Sequence, residues 1–384
     1  MEAAMTEGVL VPMFEEFAPK GWGYTRFTGN AGLVVDTDPD DSSGKLTVMV
    51  CGHADKIRMQ VRHIADDGKV WIDSESFLPA TLIGNKVTCF SQHPDGRFTT
   101  LAGTVEALGA IHFAPAALRS GDKGVKANQL YLELGLHGEG RGQQARDLGI
   151  RPGDVLLLDR PIERCVGPDT FSGAYLDNGL GCFVAAEVAR ALPPSVYDSV
   201  RVQYAFASHE EIGRFGSRVM VEKCRPDVLV AVDVNHDYEA APIGKEDRNP
   251  TLTLGKGYTL LNGAVCAPAL NKLFMDVSRE RGIPVQDDVR GRDSGTDAMA
   301  GVLASVDTAA TSVGFPIRNM HTVSELAHTS DVLASVAAVG GVIEALAAGG
   351  VTAAALQGLH PRLDGAAAAD PVARAAAAAD HEQE

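Results

Sequence analysis

Strands and helices alternate along the second half of the sequence, and this alternation constrains the fold more than any other feature. Apolar residues at helical spacing in 177–192 are followed by a hydrophobic strand pattern in 199–208, "SVRVQYAFAS". More helices and strands follow toward the C-terminus: a short helix at 216–225, a strand at 226–234, a strand at 251–257, a helix at 267–282, a strand at 307–314 and a long final helix at 324–346. Such alternation is typical of a mostly parallel sheet flanked by helices, so we predict the α/β class.

The region before residue 165 has a different pattern. "KLTVMVCGHADKI" (45–57) predicts a buried strand that runs into a polar turn, and several short β-branched or aromatic segments follow between 69 and 159. Short strands with Gly, Asp and Pro between them predict a small β-barrel-like domain. We therefore predict a discontinuous α/β domain at 1–64 and 166–350, an inserted β-rich domain at 65–165, and a disordered Ala-rich tail at 351–384.

Composition excludes several classes of partner. The 384 residues carry a net charge of −16, which argues against binding to nucleic acid or to an anionic membrane. We find no apolar run of the roughly 18–20 residues that a membrane helix needs, and the acidic N-terminus does not match a secretory signal. Six cysteines without a C-x-x-C pair predict reduced thiols in the cytoplasm.

Polar residues with metal-binding potential cluster where the predicted strands end. In open α/β sheets, functional sites lie beyond the carboxyl ends of the strands. The residues at these positions are His53, Asp55, Asp177 (which opens a helix), Glu210, Glu211, Asp233 and His321. Two histidines and several carboxylates form a ligand set suited to zinc or a similar divalent metal.

Each of these residues also has an ordinary explanation when it is considered alone. His-x-Asp occurs by chance, Asp177 could cap its helix, and Asp233 could stabilise a turn. Together, the co-located groups favour a metal site. Gly213 excludes the H-E-x-x-H arrangement, because that motif needs a histidine there. "DSGTDA" does not fit G-x-S-x-G, and "GKGYTLLNG" lacks the full phosphate-loop pattern.

The order of the motifs gives a more specific result. His-x-Asp, "LDN", "EEIGRFGS", "AVDV", "SGTDA" and "PIRNMHTVSE" follow one another from about residue 50 to 325. This series resembles the co-catalytic dizinc aminopeptidases of the glutamyl aminopeptidase and tetrahedral deblocking aminopeptidase family, some of which have been labelled endoglucanases. The resemblance covers nearly the whole chain from about 30 to 346. It implies a homo-oligomer that dimerises through the insert, with assembly up to a dodecamer.

The resemblance also implies a role for each residue of the cluster. One metal would be held by His53, Asp177 and Asp233, and the second by Asp177, Glu211 and His321. Glu210 would be the general base, and Asp55 would orient His53. The implied cofactors are two divalent ions, most simply Zn²⁺, with Co²⁺ or Mn²⁺ as alternatives. The implied reaction removes N-terminal residues from peptides with a free amine, with water shared by the two ions as the nucleophile.

Some residues depart from the family pattern or have two interpretations. Lys56 replaces the usual glutamate and Gly179 the usual arginine, which affects the expected substrate preference and assembly. We expect His209 either to be a packing residue or to support the site without binding metal, and we expect His236 and Asp237 to be solvated. Residues 288–298 form either a loop near the substrate or a turn with Asp297 as a helix cap. The arginines that could favour acidic substrates, or could be surface charges, are Arg290, Arg292 and Arg318.

Two other functions fit the same sequence. A related dizinc enzyme could remove acyl groups from N-acylated amino acids or split dipeptides. A non-catalytic assembly protein could also have kept this fold, and it would bind no metal.

Overall fold

The computed structural model describes residues 5–40, 44–74, 76–92, 97–107, 109, 111–120, 123–240, 251–304, 306–349 and 351–357. Its strands, in chain order, are β1 (Gly23–Phe27), β2 (Gly32–Asp36), β3 (Leu46–His53), β4 (Met59–Ile64), β5 (Val70–Asp73), β6 (Lys86–Gln92), β7 (Phe98–Glu106), β8 (Tyr131–Glu133), β9 (Val155–Leu158), β10 (Glu163–Arg164), β11 (Thr170–Gly173), β12 (Val200–Ala207), β13 (Val228–His236), β14 (Tyr258–Gly263), β15 (Val285–Arg290), β16 (Ala309–Ile317) and β17 (Glu325–His328).

The α-helices are α1 (Val11–Glu15), α2 (Pro79–Leu82), α3 (Ala116–Arg119), α4 (Arg141–Asp147), α5 (Leu176–Ala191), α6 (Phe215–Cys224), α7 (Pro268–Arg281), α8 (Ala298–Leu303), α9 (Thr329–Ala347) and α10 (Ala353–Gln357). A π-helical turn, Thr6–Leu10, precedes α1. Single 3₁₀ turns occupy Ile111–Phe113, Ala127–Gln129 and Pro194–Asp198.

Eight strands form the central sheet in the order β1-β2-β12-β3-β13-β16-β14-β15. The four middle strands, β12, β3, β13 and β16, are parallel, whereas β1 and β2 pair antiparallel at one edge. Ala207 pairs with His53, and Asp233 pairs with Gly314. The carboxyl ends of the parallel strands therefore lie along one edge of the sheet, as we predicted for the α/β class.

Helices cover both faces of this sheet. Along β3, Val48 and Val50 pack into a large core with α5, α7 and α9, while Met49 and Cys51 face a smaller core that includes α6. Alternate residues of one strand point to opposite faces, and here both faces are buried. This double burial explains why the strand sequence is a continuous hydrophobic run.

The segment between β3 and α5 contains a closed six-stranded barrel, in the order β4-β5-β8-β7-β6-β9. It has its own apolar core, with Met59, Ile72, Val87 and Leu156 fully buried. Its first strand begins at Met59, before the boundary at residue 65 that we predicted for the insert. The division into domains and the dimerisation role of the barrel stay predictions.

Two predicted elements are wrong. Residues 251–257 do not form a strand, and β14 begins only at Tyr258. Gly255 and Gly257 have φ of +78° and +104°, and their N–H groups donate to the two carboxylate oxygens of Asp331 at 2.6 and 2.8 Å. The final helix begins at Thr329 rather than at 324, because Glu325–His328 pairs with β11 as strand β17.

The final helix, α9, is long and apolar enough to cross a membrane by length and composition, which the sequence analysis did not anticipate. It packs against α5 and α7, and Val339 and Ile343 are fully buried there. This is the environment of a core helix. Part of the tail that we predicted to be disordered forms α10, whose Leu356 is buried, and residues 358–384 lie outside the described residues.

Candidate metal centre

The predicted ligands converge at the carboxyl edge of the parallel strands. They come from five places in the fold: His53 ends β3, Asp177 is the second residue of α5, Glu210 and Glu211 follow β12, Asp233 lies within β13, and His321 lies in the loop between β16 and β17. All of them line one cavity of about 300 Å³. The strand order explains this meeting, because β12, β3, β13 and β16 are neighbours in the sheet.

One group of possible metal ligands consists of His53, Asp177 and Asp233. The Nε2 atom of His53 lies 3.1 Å from Oδ1 of Asp177 and 3.6 Å from Oδ1 of Asp233. All three residues are buried, and one ligand atom from each lies within 4.8 Å of the others. A single divalent ion could contact all three atoms.

Asp177 also belongs to a second group, with Glu211 and His321. The Nε2 atom of His321 lies 3.1 Å from Oδ2 of Asp177 and 3.4 Å from Oε2 of Glu211. Asp177 therefore presents one carboxylate oxygen to each histidine. Its side chain does not cap α5, so the helix-cap explanation is wrong.

The neighbouring residue Asn178 ties the start of α5 to the sheet. Its Nδ2 donates to the carbonyl of Val232 at 2.8 Å, and its Oδ1 accepts from the N–H of Gly181 at 2.7 Å. These two bonds fix Asp177 beside β13.

Two carboxylate oxygens at the centre have no hydrogen-bond donor in the part of the chain that the structure describes. Oδ1 of Asp177 and Oε1 of Glu211 are buried and accept no hydrogen bond from any described residue. Burial, with the charge of Asp177 nearby, raises the pKa of Glu211 to about 7. Buried carboxylates at this density need a positive charge to offset them. The donor set and its unsatisfied oxygens thus fit divalent cations.

Glu210 stands apart from both groups. Its Oε2 lies 3.9 Å from Nε2 of His53, and burial together with the charge of Asp233 raises its pKa to about 9. The two adjacent glutamates thus occupy different positions, one inside a ligand group and one beside it.

Asp55 holds the backbone of this glutamate pair. Its two carboxylate oxygens accept from the N–H groups of Glu210 at 3.2 Å and of Glu211 at 3.3 Å. The Nδ1 atom of His53 is hydrogen-bonded to the backbone carbonyl oxygen of Asp55 at 3.2 Å, and Oδ1 of Asp55 lies 3.5 Å from that nitrogen. Burial alone would raise the pKa of Asp55, but the contact with His53 and the two N–H groups lower it overall. The carboxylate therefore holds the glutamate turn, and Asp55 contacts His53 through both its backbone carbonyl and its side chain.

Glu325, for which the sequence predicted no role, binds two backbone N–H groups of the centre in the same way as Asp55. Its Oε2 accepts from the N–H of Asp177, and its Oε1 accepts from the N–H of His321, both at 3.0 Å. It is almost fully buried, and burial with the charge of Asp177 raises its pKa to about 7. Its only sequence signal is a carboxylate four residues after His321 in "HTVSE".

Asp297 immediately precedes α8, as we predicted, but its side chain does not cap that helix. It is buried and accepts a hydrogen bond from Oγ of Ser217, with Sγ of Cys51 3.7 Å away. Burial raises its pKa to about 6. Its carboxylate therefore ties the loop before α8 to the start of α6.

Several other residues singled out in the sequence lie outside both ligand groups. His209 is half-buried with φ of +62°, and His236 is exposed at the end of β13. Asp237 is buried and pairs with Nε of Arg318 at 2.6 Å, so the prediction that it is solvated is wrong. Arg290 contacts Asp288, and Arg292 is exposed.

The two departures from the family pattern meet in space. The Nζ atom of Lys56 is buried without a hydrogen-bond partner among the described residues, and it lies 3.7 Å from where a Cβ on Gly179 would stand. Lys56 therefore lies next to the space that a side chain at position 179 would occupy. No proposed metal ligand is replaced.

The family model of the M42 glutamyl aminopeptidases matches residues 32–337. The chain belongs to this family. A lysyl aminopeptidase of Pyrococcus furiosus is 31% identical over 289 residues, which cover 74% of this chain and 78% of that protein. As a member of this family, the protein is an aminopeptidase, which hydrolyses peptide bonds. M42 peptidases are metal-dependent, so this aminopeptidase requires metal as well.

Solved structures of the family have the same fold. An aminopeptidase from the archaeon Desulfurococcus kamchatkensis superposes with a TM-score of 0.74 at 21% identity, over 93% of this chain and 92% of that one. The TET1 peptidase of Pyrococcus horikoshii, described as assembling into a tetrahedron or a large octahedral shell, gives 0.71 at 20% identity, over 89% and 94%.

Proposed function

We propose that this M42 aminopeptidase uses two divalent ions, one held by His53, Asp177 and Asp233 and the other by Asp177, Glu211 and His321. The observation that carries the proposal is the position of Asp177, whose two oxygens lie 3.1 Å from the two histidines. The buried oxygens of Asp177 and Glu211 that accept no hydrogen bond within the described part of the chain support it further. Zn²⁺ suits this N/O ligand set best, with Co²⁺ or Mn²⁺ as alternatives.

The metal pair, when bound, supplies Lewis acidity that lowers the pKa of water and polarises the scissile carbonyl. The rest of the chemistry belongs to the chain. Glu210 accepts the proton of the attacking water and passes it to the leaving amine, because its carboxylate lies at the centre without belonging to either ligand group. Asp55 holds the backbone of Glu210 in place for this transfer.

We also propose a peptide substrate with a free N-terminus and a homo-oligomeric, cytoplasmic protein. The lysyl aminopeptidase relative supports the substrate class, and the shell-forming TET1 peptidase supports assembly. The dimer contact in this proposal is the barrel, as the family resemblance implies. All six cysteines are free, which agrees with a reducing compartment.

The substitution Glu210→Gln tests the assignment of the base. We expect the rate of leucine anilide hydrolysis to fall about 10²- to 10⁴-fold, because the amide cannot accept the proton. Metal content, measured by plasma mass spectrometry, should stay equal to that of the wild type. Glu222→Gln, an exposed position on α6, is the matched control and should keep full activity.

Full activity of Glu210→Gln with metal bound would contradict the role of Glu210. Cleavage of N-acylated amino acids alone, with no hydrolysis of free-amine substrates, would instead favour the deacylase.

A further inference from the structure

Arg214 lines the cavity of the metal centre, and neither the sequence analysis nor the proposed function gives it a task. Among the described residues that line this cavity, it is the sole Arg or Lys. Its side chain is 23% exposed, so the guanidinium lies in the wall and still reaches the open space. A permanent positive charge in an otherwise acidic cavity is a candidate recognition group.

The position of Arg214 is fixed by its backbone. It precedes α6 directly, with φ of +60°, and its N–H donates to the carbonyl of Glu210 at 3.1 Å. Its own carbonyl accepts from Oγ of Ser217 at 3.2 Å, and Ser217 is also bound to Asp297. Arg214 and the proposed base therefore belong to one turn.

The guanidinium is also held in place. Its Nη2 donates to Oδ2 of Asp293 at 3.0 Å, and Oδ1 of Asp293 accepts from the N–H of Gly295 at 2.9 Å. Among the described residues this is the guanidinium's only hydrogen bond, so most of its five donors stay available. A pre-positioned guanidinium binds a carboxylate with little loss of side-chain freedom.

The direction of the substrate follows from the chemistry of Glu210. The base must pass its proton to the leaving amine, so the leaving residue lies beside Glu210. Arg214 belongs to the same turn as Glu210 and lines the same cavity. The cavity volume, about 300 Å³, is at the lower end for small-ligand sites, which suits a short peptide.

We propose that Arg214 binds a carboxylate on the leaving-group side of the substrate, so that short peptides with a free acid next to the scissile bond are preferred. The carboxylate is either the C-terminus of a dipeptide or the side chain of an acidic second residue. This inference rests on the proposed function for the direction of the substrate.

Binding without turnover tests the inference. Zinc-loaded Glu210→Gln protein is titrated by calorimetry with Leu-Leu and with Leu-Leu amide, which differ only in the C-terminal charge. We expect the free acid to bind about 10- to 100-fold more tightly, as for a hydrogen-bonded charged group. A second pair, Leu-Glu amide and Leu-Gln amide, isolates an acidic side chain, and the pair with the larger ratio identifies the source of the carboxylate.

When Arg214→Gln is combined with Glu210→Gln, the affinity ratio of the charged to the uncharged peptide in the preferred pair should fall to about one, while binding of the uncharged peptide stays constant. Arg214→Lys in place of Arg214→Gln should restore part of the ratio. Both replacements have a Cβ, like arginine, so neither changes the cost of the positive φ at this position. Arg218→Gln, exposed one turn further along α6 and outside the cavity lining, is the matched control and should leave the ratios unchanged.

Equal binding of acid and amide in both pairs would overturn the inference, and so would an equal loss of acid and amide binding in Arg214→Gln. The proposed function fails separately, if wild-type protein hydrolyses none of these free-amine peptides while the Arg214-dependent ratio persists.

Discussion

Glu210 and Glu211 are adjacent in sequence but have different surroundings, and Asp55 is the residue that makes this possible. By accepting from both N–H groups it holds the backbone of the pair in one conformation. The side chains then leave in different directions, so one carboxylate lies near Nε2 of His321 and the other near Nε2 of His53. A like-charge pair is tolerated here because the two groups are directed to different partners.

Glu325 should govern how well the centre holds metal. Glu325→Gln keeps one oxygen acceptor but replaces the other with an NH₂ group, so the N–H of Asp177 or of His321 loses its acceptor. We expect metal affinity to fall about 10- to 100-fold, as for other residues that orient ligands. Titration with zinc against a competing chelator measures this.

Activity of the Glu325→Gln protein should return at saturating metal, because no proposed ligand is removed. Glu222→Gln again serves as the exposed control. An unchanged zinc affinity would show that the carboxylate does not position the ligands.

Asp297 should make the metal-free protein less stable as the pH rises. Its pKa is about 6 when folded and near 3.8 in an unfolded chain, because burial disfavours the charged form. The folded state therefore binds the proton more tightly, and the free energy of unfolding falls as the pH rises from about 4 to 6. Charged groups near Asp297 include His53, Asp55, Asp233 and Glu210.

Asp297→Asn removes this titration. Between pH 4 and pH 8 we expect the stability of the variant to rise relative to wild type by about 1–3 kcal/mol, measured by urea unfolding in the presence of a chelator. A difference between the two proteins that does not depend on pH would contradict the assignment.

The sequence was a good guide to the residues at the strand ends and a poor one to those that support them. His53, Asp177 and His321, the proposed ligands, could be selected from the sequence because metal ligands are drawn from a few residue types, and these three end a strand, open a helix or follow a strand. Glu325 and Arg214 were not, since an acceptor for a backbone N–H or a charge in a cavity wall has no fixed spacing. Only the folded loops bring these two to the site.

At the level of elements, strands buried on both faces were identified and irregular ones were not. β12 and β13 are continuous hydrophobic runs and match their predicted positions. Residues 251–257 have a similar alternation, but the carboxylate of Asp331 binds the N–H groups of Gly255 and Gly257 instead of leaving them to a strand. A side chain more than 70 residues away in sequence competed with the sheet hydrogen bonds, and local sequence does not reveal that partner.

Gly257 is the position in this turn where a side chain is not tolerated. Its φ is +104°, and a Cβ there would lie 2.2 Å from the carbonyl oxygen of Pro284. We expect Gly257→Ala to lower the free energy of unfolding by about 2–4 kcal/mol, from backbone strain and a contact that must shift. Denaturant unfolding measures the change.

Gly282→Ala is the matched comparison for Gly257→Ala. Gly282 also has a positive φ, +65°, but a Cβ there meets nothing within 4 Å. Gly282→Ala should therefore lower the free energy of unfolding by less than Gly257→Ala does. An equal loss of stability in both variants would exclude the contact with Pro284 as the cause.

For the whole molecule, we expect an assembly larger than one chain. Multi-angle light scattering at micromolar concentration should give a mass that is a multiple of 40.4 kDa. Because the shell-forming relative shares the fold at 20% identity, the number of subunits is left to this measurement. A mass of one chain would contradict the proposed assembly.

The closed barrel has a consequence for how the chain reaches its native state. Its first and last strands pair with each other, Met59 opposite Leu156, so a folded barrel brings its two ends together. His53 and Asp177, which flank it in sequence, are then joined by a much shorter effective loop. If the barrel folds first, the entropy lost in closing that loop falls by about 1.5 kcal/mol. The insert would then speed the folding of the sheet that carries the metal centre.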